Sequence, residues 1–220
     1  GGGGGSGGSI RLVGASIVNN GSLLARGEFD VTDLSGGGGR ITLECDGIVQ
    51  VGTIDVSGSQ AGSVGTYGNT GISDLNYTSG SITFNTSSGT WLHSSGEHGE
   101  GAVTMHVDDD DRAYGVSTFT FDSINLNPSL SVILEGSNAL ILKTRNHGDI
   151  VVGTNLNASG GNNVSGGIPG FGKAGGYDGG WNNLPGMGHG KGMDRVYKND
   201  GGGGGYGSPG GIGRATTGGN

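Results

Sequence analysis

Ser9 to Gly27, SIRLVGASIVNNGSLLARG, and Arg40 to Gly58, RITLECDGIVQVGTIDVSG, can be laid one over the other without a gap. The overlay matches Ile10 with Ile41, Leu12 with Leu43, Ile17 with Ile48, Gly21 with Gly52, Leu23 with Ile54, Ala25 with Val56 and Gly27 with Gly58. A looser third copy runs from Ala139 to Gly160, ALILKTRNHGDIVVGTNLNASG, where Leu140, Leu142, Ile150, Val152, Leu156 and Ala158 take the same places. Within each copy, apolar residues alternate with polar ones, the period of two that puts one set of side chains on one face of a sheet. Asn20-Gly21, Asp46-Gly47 and His147-Gly148 supply residues tolerant of positive φ between the apolar runs and are expected to turn the chain. One such unit cannot bury its own apolar face, so stacking is required. The expected fold is all-β, a parallel β-solenoid or β-helix-like stack of short strands with long glycine-rich loops. Two packed sheets or a stack of hairpins are the alternatives.

Outward from these copies, the composition shifts along the chain and suggests three parts. Residues 1–71 are glycine-rich and carry the two matched copies. Residues 72–160 form a β core segment, with strand-forming runs at Ser81 to Phe84, Ala102 to Val107, Ser117 to Phe121, Ile124 to Leu126 and Leu130 to Leu134. FTFDSINL slips its alternation by one residue at Asp122-Ser123, which reads as a β-bulge, and Asn127-Pro128 punctuates the strand. Residues 161–220 form a glycine-rich loop or tail, either mobile or packed as extended polyproline-II-like strands whose backbones approach closely without a Cβ between them.

Glycine supplies 55 of the 220 residues and charged residues only 14%, which departs from ordinary enzyme domains. Glycine does not recur every third residue, which excludes collagen. The net charge of −8 and the lack of a basic, aromatic-lined stretch argue against a nucleic-acid partner. No apolar run is long enough to span a bilayer. The single Cys45 reads as a small apolar strand residue.

FTFDSINL, LILKTRNHGDIVVGTNLNASGG, GGSGGSIRLVGASI and GGGGRITL together resemble glycine-rich repeat modules of large secreted or surface proteins of marine bacteria and invertebrates. The resemblance covers most of the chain and implies a β-solenoid-like extracellular or cell-surface module, with no catalytic residues to carry over. In such modules FTFDS and TRNHG precede the GGSIRL and GGGRI elements, whereas here GGSIRL and GGGRI come first. That order implies self-association, head to tail, in which one chain's first segments complete the end of another.

Candidate sites are few. Asp108, Asp109, Asp110 and Asp111 form the only dense acidic run and read first as a solvated acidic turn, with oxygen ligands for calcium as the alternative; no other cofactor is expected. His93, His98 and His106 near Glu97 and Glu100 read as exposed polar positions, and His147 as a turn residue. GFGKAGG and GHGKGM do not fit a phosphate-binding loop. Asn20, Asn76, Asn85, Asn157 and Asn163 stand in glycosylation sequons. Tyr177, Trp181, Tyr197 and Tyr206 are candidates for stacking on sugars or other surfaces, or for pinning the glycine loops. The expected role is a non-enzymatic extracellular structural, matrix or filament-forming subunit, with glycans or other matrix proteins as further partners. The alternative is an adhesin or tail-fibre-like binding module. A glycan-active enzyme using Asp55, Asp122 and Asp149 ranks third.

Overall fold

Alternating runs such as Ile10, Leu12 and Ile41, Leu43 become strands because β-branched and aliphatic residues on one pleat face gain by burial against the next strand. The computed structural model describes residues 4–28, 36–45, 47, 49–57, 63–65, 74–107, 113–145, 148–161, 169–181, 184–187 and 204. Among these there is no α-helix. The strands are β1 (Ser9–Val13), β2 (Ile17–Leu24), β3 (Arg40–Glu44), β4 (Val49–Asp55), β5 (Ser63–Gly65), β6 (Leu75–Tyr77), β7 (Gly80–Asn85) and β8 (Thr90–His93). They continue with β9 (His98–Glu100), β10 (Ala102–Val107), β11 (Ala113–Phe121), β12 (Ile124–Leu126), β13 (Leu130–Glu135), β14 (Ala139–Thr144), β15 (Ile150–Val152) and β16 (Asn155–Asn157).

The all-β expectation stands, but the parallel solenoid or β-helix does not. The strands lie in three separate open sheets, ordered β10-β11-β14-β1-β3-β5, then β16-β2-β15-β12-β6 with β4 on β2, then β13-β7-β8-β9. Only the second is wholly parallel; β10 runs antiparallel to β11, and β8 to both β7 and β9. The cause is local. Asn85 Oδ1 accepts hydrogen bonds from the amides of Ser87 and Ser88, each at 3.1 Å, and Gly89 takes a φ of 71°. Gly96, at a φ of 95°, turns the chain between β8 and β9. Such tight turns return a strand antiparallel beside its predecessor, which a parallel stack does not allow.

The matched stretches lie side by side. Ile10 pairs with Ile41 on one side and Leu140 on the other, and Leu12 with Leu43 and Leu142. Farther along, Ile17 pairs with Ile150 and with Val49, not Ile48; the pairing returns to Leu23 with Ile54 after a register shift between Asn19 and Ser22. Asn20-Gly21 is therefore an extra residue inside β2, not a corner. Asn19 Oδ1 accepts the Gly21 amide at 3.1 Å. Gly21 is not in the positive-φ region; it is needed because a Cβ there would strike the Thr154 carbonyl. Conversely, Asp122-Ser123 is no bulge: β11 and β12 belong to different sheets, and these two residues carry the chain from one to the other.

In-register pairing sorts the core into columns. Leu43, Leu12, Leu142 and Phe119 follow one another across the first sheet, and Leu75, Ile124, Ile150 and Ile17 across the second. Phe84 of the third sheet packs edge-on against Phe119, with ring centroids 5.0 Å apart, and joins the layers. All of these side chains are buried. Each contributes roughly 1.5–3 kcal/mol of burial, which offsets the chain entropy lost in ordering short strands.

Candidate functional site

A second, unconventional core begins where the sheets end. The segments 4–8, 25–28, 36–39, 158–161 and 170–180, with Gly204, lie against one another outside the strands, the last turning at Ala174-Gly175, and Gly5, Gly7, Gly8, Gly36 and Gly39 are buried. Their hydrogen bonds repeat every third residue. Gly5 donates to Gly161 O and Gly8 to Ala158 O, at 3.2 and 2.7 Å. Ser6 donates to Tyr177 O and Ser9 to Ala174 O, at 2.9 and 2.7 Å, and Gly7 to Gly37 O at 3.0 Å. The same spacing recurs as Gly36 bonds Glu28 and Gly39 bonds Ala25. A β-strand would alternate between two neighbours. Consecutive donors reaching three neighbours is the signature of the threefold polyproline-II helix, here paired antiparallel with 158–161 and 174–177 and parallel with 36–39.

Glycine makes this arrangement possible by being small. A Cβ on Gly5 would strike Phe171 O, on Gly7 Ala25 O, on Gly8 Lys173 O, on Gly36 Gly5 O and on Gly170 Gly161 O. These glycines are not at positive φ. Part of the glycine-rich tract packs in this way: the carbonyls of Phe171, Ala174 and Tyr177 accept hydrogen bonds from Gly161, Ser9 and Ser6, while Ala174 and Gly175 turn the chain at positive φ.

The glycine segments carry an exposed apolar surface. Phe171, Trp181, Leu184 and Met187 are each at least half exposed. They spring from neighbouring backbone: Gly179 N bonds Gly170 O at 2.9 Å, Met187 N bonds Asp178 O at 3.0 Å, and Leu184 N bonds Trp181 O at 3.0 Å. Tyr177 is only half-buried and its backbone is held by Ser6, whose Oγ accepts the Tyr177 amide at 2.6 Å. Tyr177 therefore stands with the anchoring residues and Trp181 with the exposed ones. Tyr197 and Tyr206 lie outside the described residues. Phe171, Leu184 and Met187 were not singled out from sequence, although their apolar character beside glycine was the available signal.

A second exposed surface is β10. All of its residues are exposed, it pairs with β11 alone among the described strands, and Val103, Met105 and Val107 project from one face. Val103 and Met105 pair with Ser117 and Gly115, which are buried, so this apolar face is the one that continues the core side of β11.

The titratable groups are held structurally. Tyr77 stacks on His93, with centroids 3.8 Å apart, and His93 is buried, its Nδ1 at 2.8 Å from Ser95 Oγ and its Nε2 at 3.0 Å from Ser79 O. The expectation of an exposed His93 is therefore wrong, whereas His98 and His106 are exposed. Burial, reinforced by a hydrogen bond with Glu97 and by that carboxylate's charge, pushes the Tyr77 phenol up to about 12. Burial alone would raise Asp55, but hydrogen bonds from Ser57 and the Arg26 guanidinium 3.7 Å away outweigh it and lower the acid. Asp149 accepts Ser16 Oγ at 2.6 Å. Glu44, nearly buried, receives Arg11 Nε and Nη2 on its two oxygens.

Among the described residues, no three His, Cys, Asp or Glu side chains converge. Asp108 to Asp111, Asn163 and His147 lie outside those residues. Of the remaining sequons, Asn20 on β2, Asn76 on β6 and Asn157 on β16 are exposed, while Asn85 at the end of β7 is half-buried. No helix among the described residues is long and apolar enough to cross a membrane. No family model, curated protein or solved structure matches the chain.

Gly7→Ala tests the glycine packing, since in a solvated loop it would stabilise by about 0.4–1 kcal/mol through the unfolded chain. Against the Ala25 carbonyl it is expected to destabilise by about 1–3 kcal/mol, measured by denaturant unfolding. Tyr77 gives a pH test. A phenol that ionises at 10.0 when unfolded but about 12 when folded makes the folded state bind more protons between those values. Stability is therefore expected to fall as the pH rises from 10 towards 12, and Tyr77→Phe to flatten that fall in alkaline melts.

Proposed function

We propose that the chain is a non-catalytic extracellular structural subunit that self-associates, its glycine segments supplying a rigid backbone-packed body. The observation that carries this reading is β10, a six-residue edge strand exposed along its length, with Val103, Met105 and Val107 on one face. Edge strands in soluble proteins are ordinarily defended by lysine, proline, bulges or a covering element. Neither Lys nor Pro occurs in AVTMHV, and its edge away from β11, which pairs with no other described strand, can accept another strand. The motifs resembling secreted glycine-rich modules point the same way.

Exposed Trp181 with Phe171, Leu184 and Met187 favours a second reading, adhesion to glycans or matrix proteins through a surface held rigid by the glycine packing beneath. The two readings use different residues. Met105→Lys separates them, because a lysine on the edge opposes strand addition while Phe171, Trp181, Leu184 and Met187 are all kept. Sedimentation and electron microscopy are expected to show assemblies of the native chain that Met105→Lys disperses. A native chain that stays monomeric at high concentration would exclude the structural reading.

A further inference from the structure

The order of strands across the first sheet differs from their order along the chain at one place. β11, β14, β1 and β3 are neighbours, so the sheet passes from late residues directly to the first strand. This seam is extensive. β1 lies along β14 from Ile10 on Leu140 to Val13 on Lys143, and β2 pairs with both β15 and β16. Beyond the strands, Gly5 and Gly8 bond to 158–161, and Ser6 and Ser9 to 174–177. Residues 4–57 thus sit on the later part of the chain through non-covalent contacts alone.

The described ends to be joined around this seam lie at opposite edges. β5 is at the far edge of the first sheet, beyond β3, while β6 is at the opposite edge of the second, beyond β12. Because β12 follows β11 directly, the two edges are five strand spacings apart, about 24 Å. Asp74 is nine positions after Gly65, and that length of chain reaches at most about 30–32 Å. With the ends of Gly65 and Asp74 that far apart for the number of residues between them, closure within one chain has little of the entropic advantage that a loose tether has.

We propose that the N-terminal block, β1 to β5 with the 4–8 and 36–39 segments, is exchanged between copies, that of one molecule seating on β14, β15, β16 and the 158–161 and 174–177 segments of a second. Every register is kept, so exchange loses no contact, and the connection no longer has to span the whole width of the sheets. Successive exchange builds an open chain of copies; reciprocal exchange closes a dimer. This inference rests on the reading of the chain as a self-associating subunit but uses a surface other than β10. It also replaces simple end-to-end addition, because the surface beside β14 is filled by an N-terminal block in every copy.

Ser22 and Asn155 are register partners across the seam, outside the buried core. Neighbouring strands lie within disulfide reach. Two single variants, Ser22→Cys and Asn155→Cys, each also carrying Cys45→Ser, are refolded together at high concentration and oxidised. The expected result is a mixed disulfide-linked pair on a denaturing, non-reducing gel. In the double variant, deleting residues 68–71 leaves a connection of at most about 18 Å, too short to close within one chain. Its cross-links are expected to become wholly intermolecular, whereas the undeleted double variant at low concentration closes on itself. No mixed pair, with the double variant closing only on itself, would overturn the proposal, as would intrachain closure of the deleted form. Adding Met105→Lys to the single variants keeps the tests apart: exchange persists even where assembly through β10 is lost.

Discussion

The absence of a Cβ at Gly4, Gly5, Gly7 and Gly8 is the constraint on which the rest of the molecule depends. It lets a backbone sit in the midst of other backbones, close enough for consecutive amides to bond to different neighbours. Side chains would hold these segments apart, and the donors from Gly5 to Ser9 would need water instead. With the contact made, the start of the chain is fixed between 158–161, 174–177 and 36–40, and β1 emerges already aligned for pairing on both sides. The hydrophobic columns from Leu43 to Phe119 then close the first sheet across the seam.

Much of the strand content was legible because alternation is a direct consequence of burying one pleat face. The pairing of Ile10 with Ile41 and Leu140, and of Leu23 with Ile54 and Leu156, follows the matched letters of the sequence. Ile17 was misaligned because the added residue at Asn20-Gly21 is absorbed within β2, where a local motif looks the same as a turn. The solenoid expectation failed at Asn85–Gly89 and Gly96, whose turn chemistry makes antiparallel returns that the apolar period alone does not distinguish from parallel ones. The glycine tract was ambiguous for a deeper reason. Glycine is equally suited to a mobile chain and to backbone packing, and only the arrival of neighbours such as Gly161 O and Tyr177 O decides between them.

The sites show a similar division. Trp181 was visible from sequence as an aromatic among glycines, but its separation from the anchored Tyr177 depends on Ser6, far away in the chain. The β10 run was visible as a strand, yet its exposure comes from its place at the edge of a sheet. His93 looked like a surface residue because nothing local reveals the Tyr77 ring on its face. The candidate surfaces are thus set by topology acting on ordinary residues, which explains why no compact motif announces them.

Amide hydrogen exchange by NMR at Gly5, Ser6, Gly7, Gly8 and Ser9 tests the glycine packing most directly. Five successive protected amides are predicted, because each donates to a carbonyl within the bundle. Exchange at the rate of an unstructured peptide, or protection at every second residue alone as on a strand edge, would contradict the account.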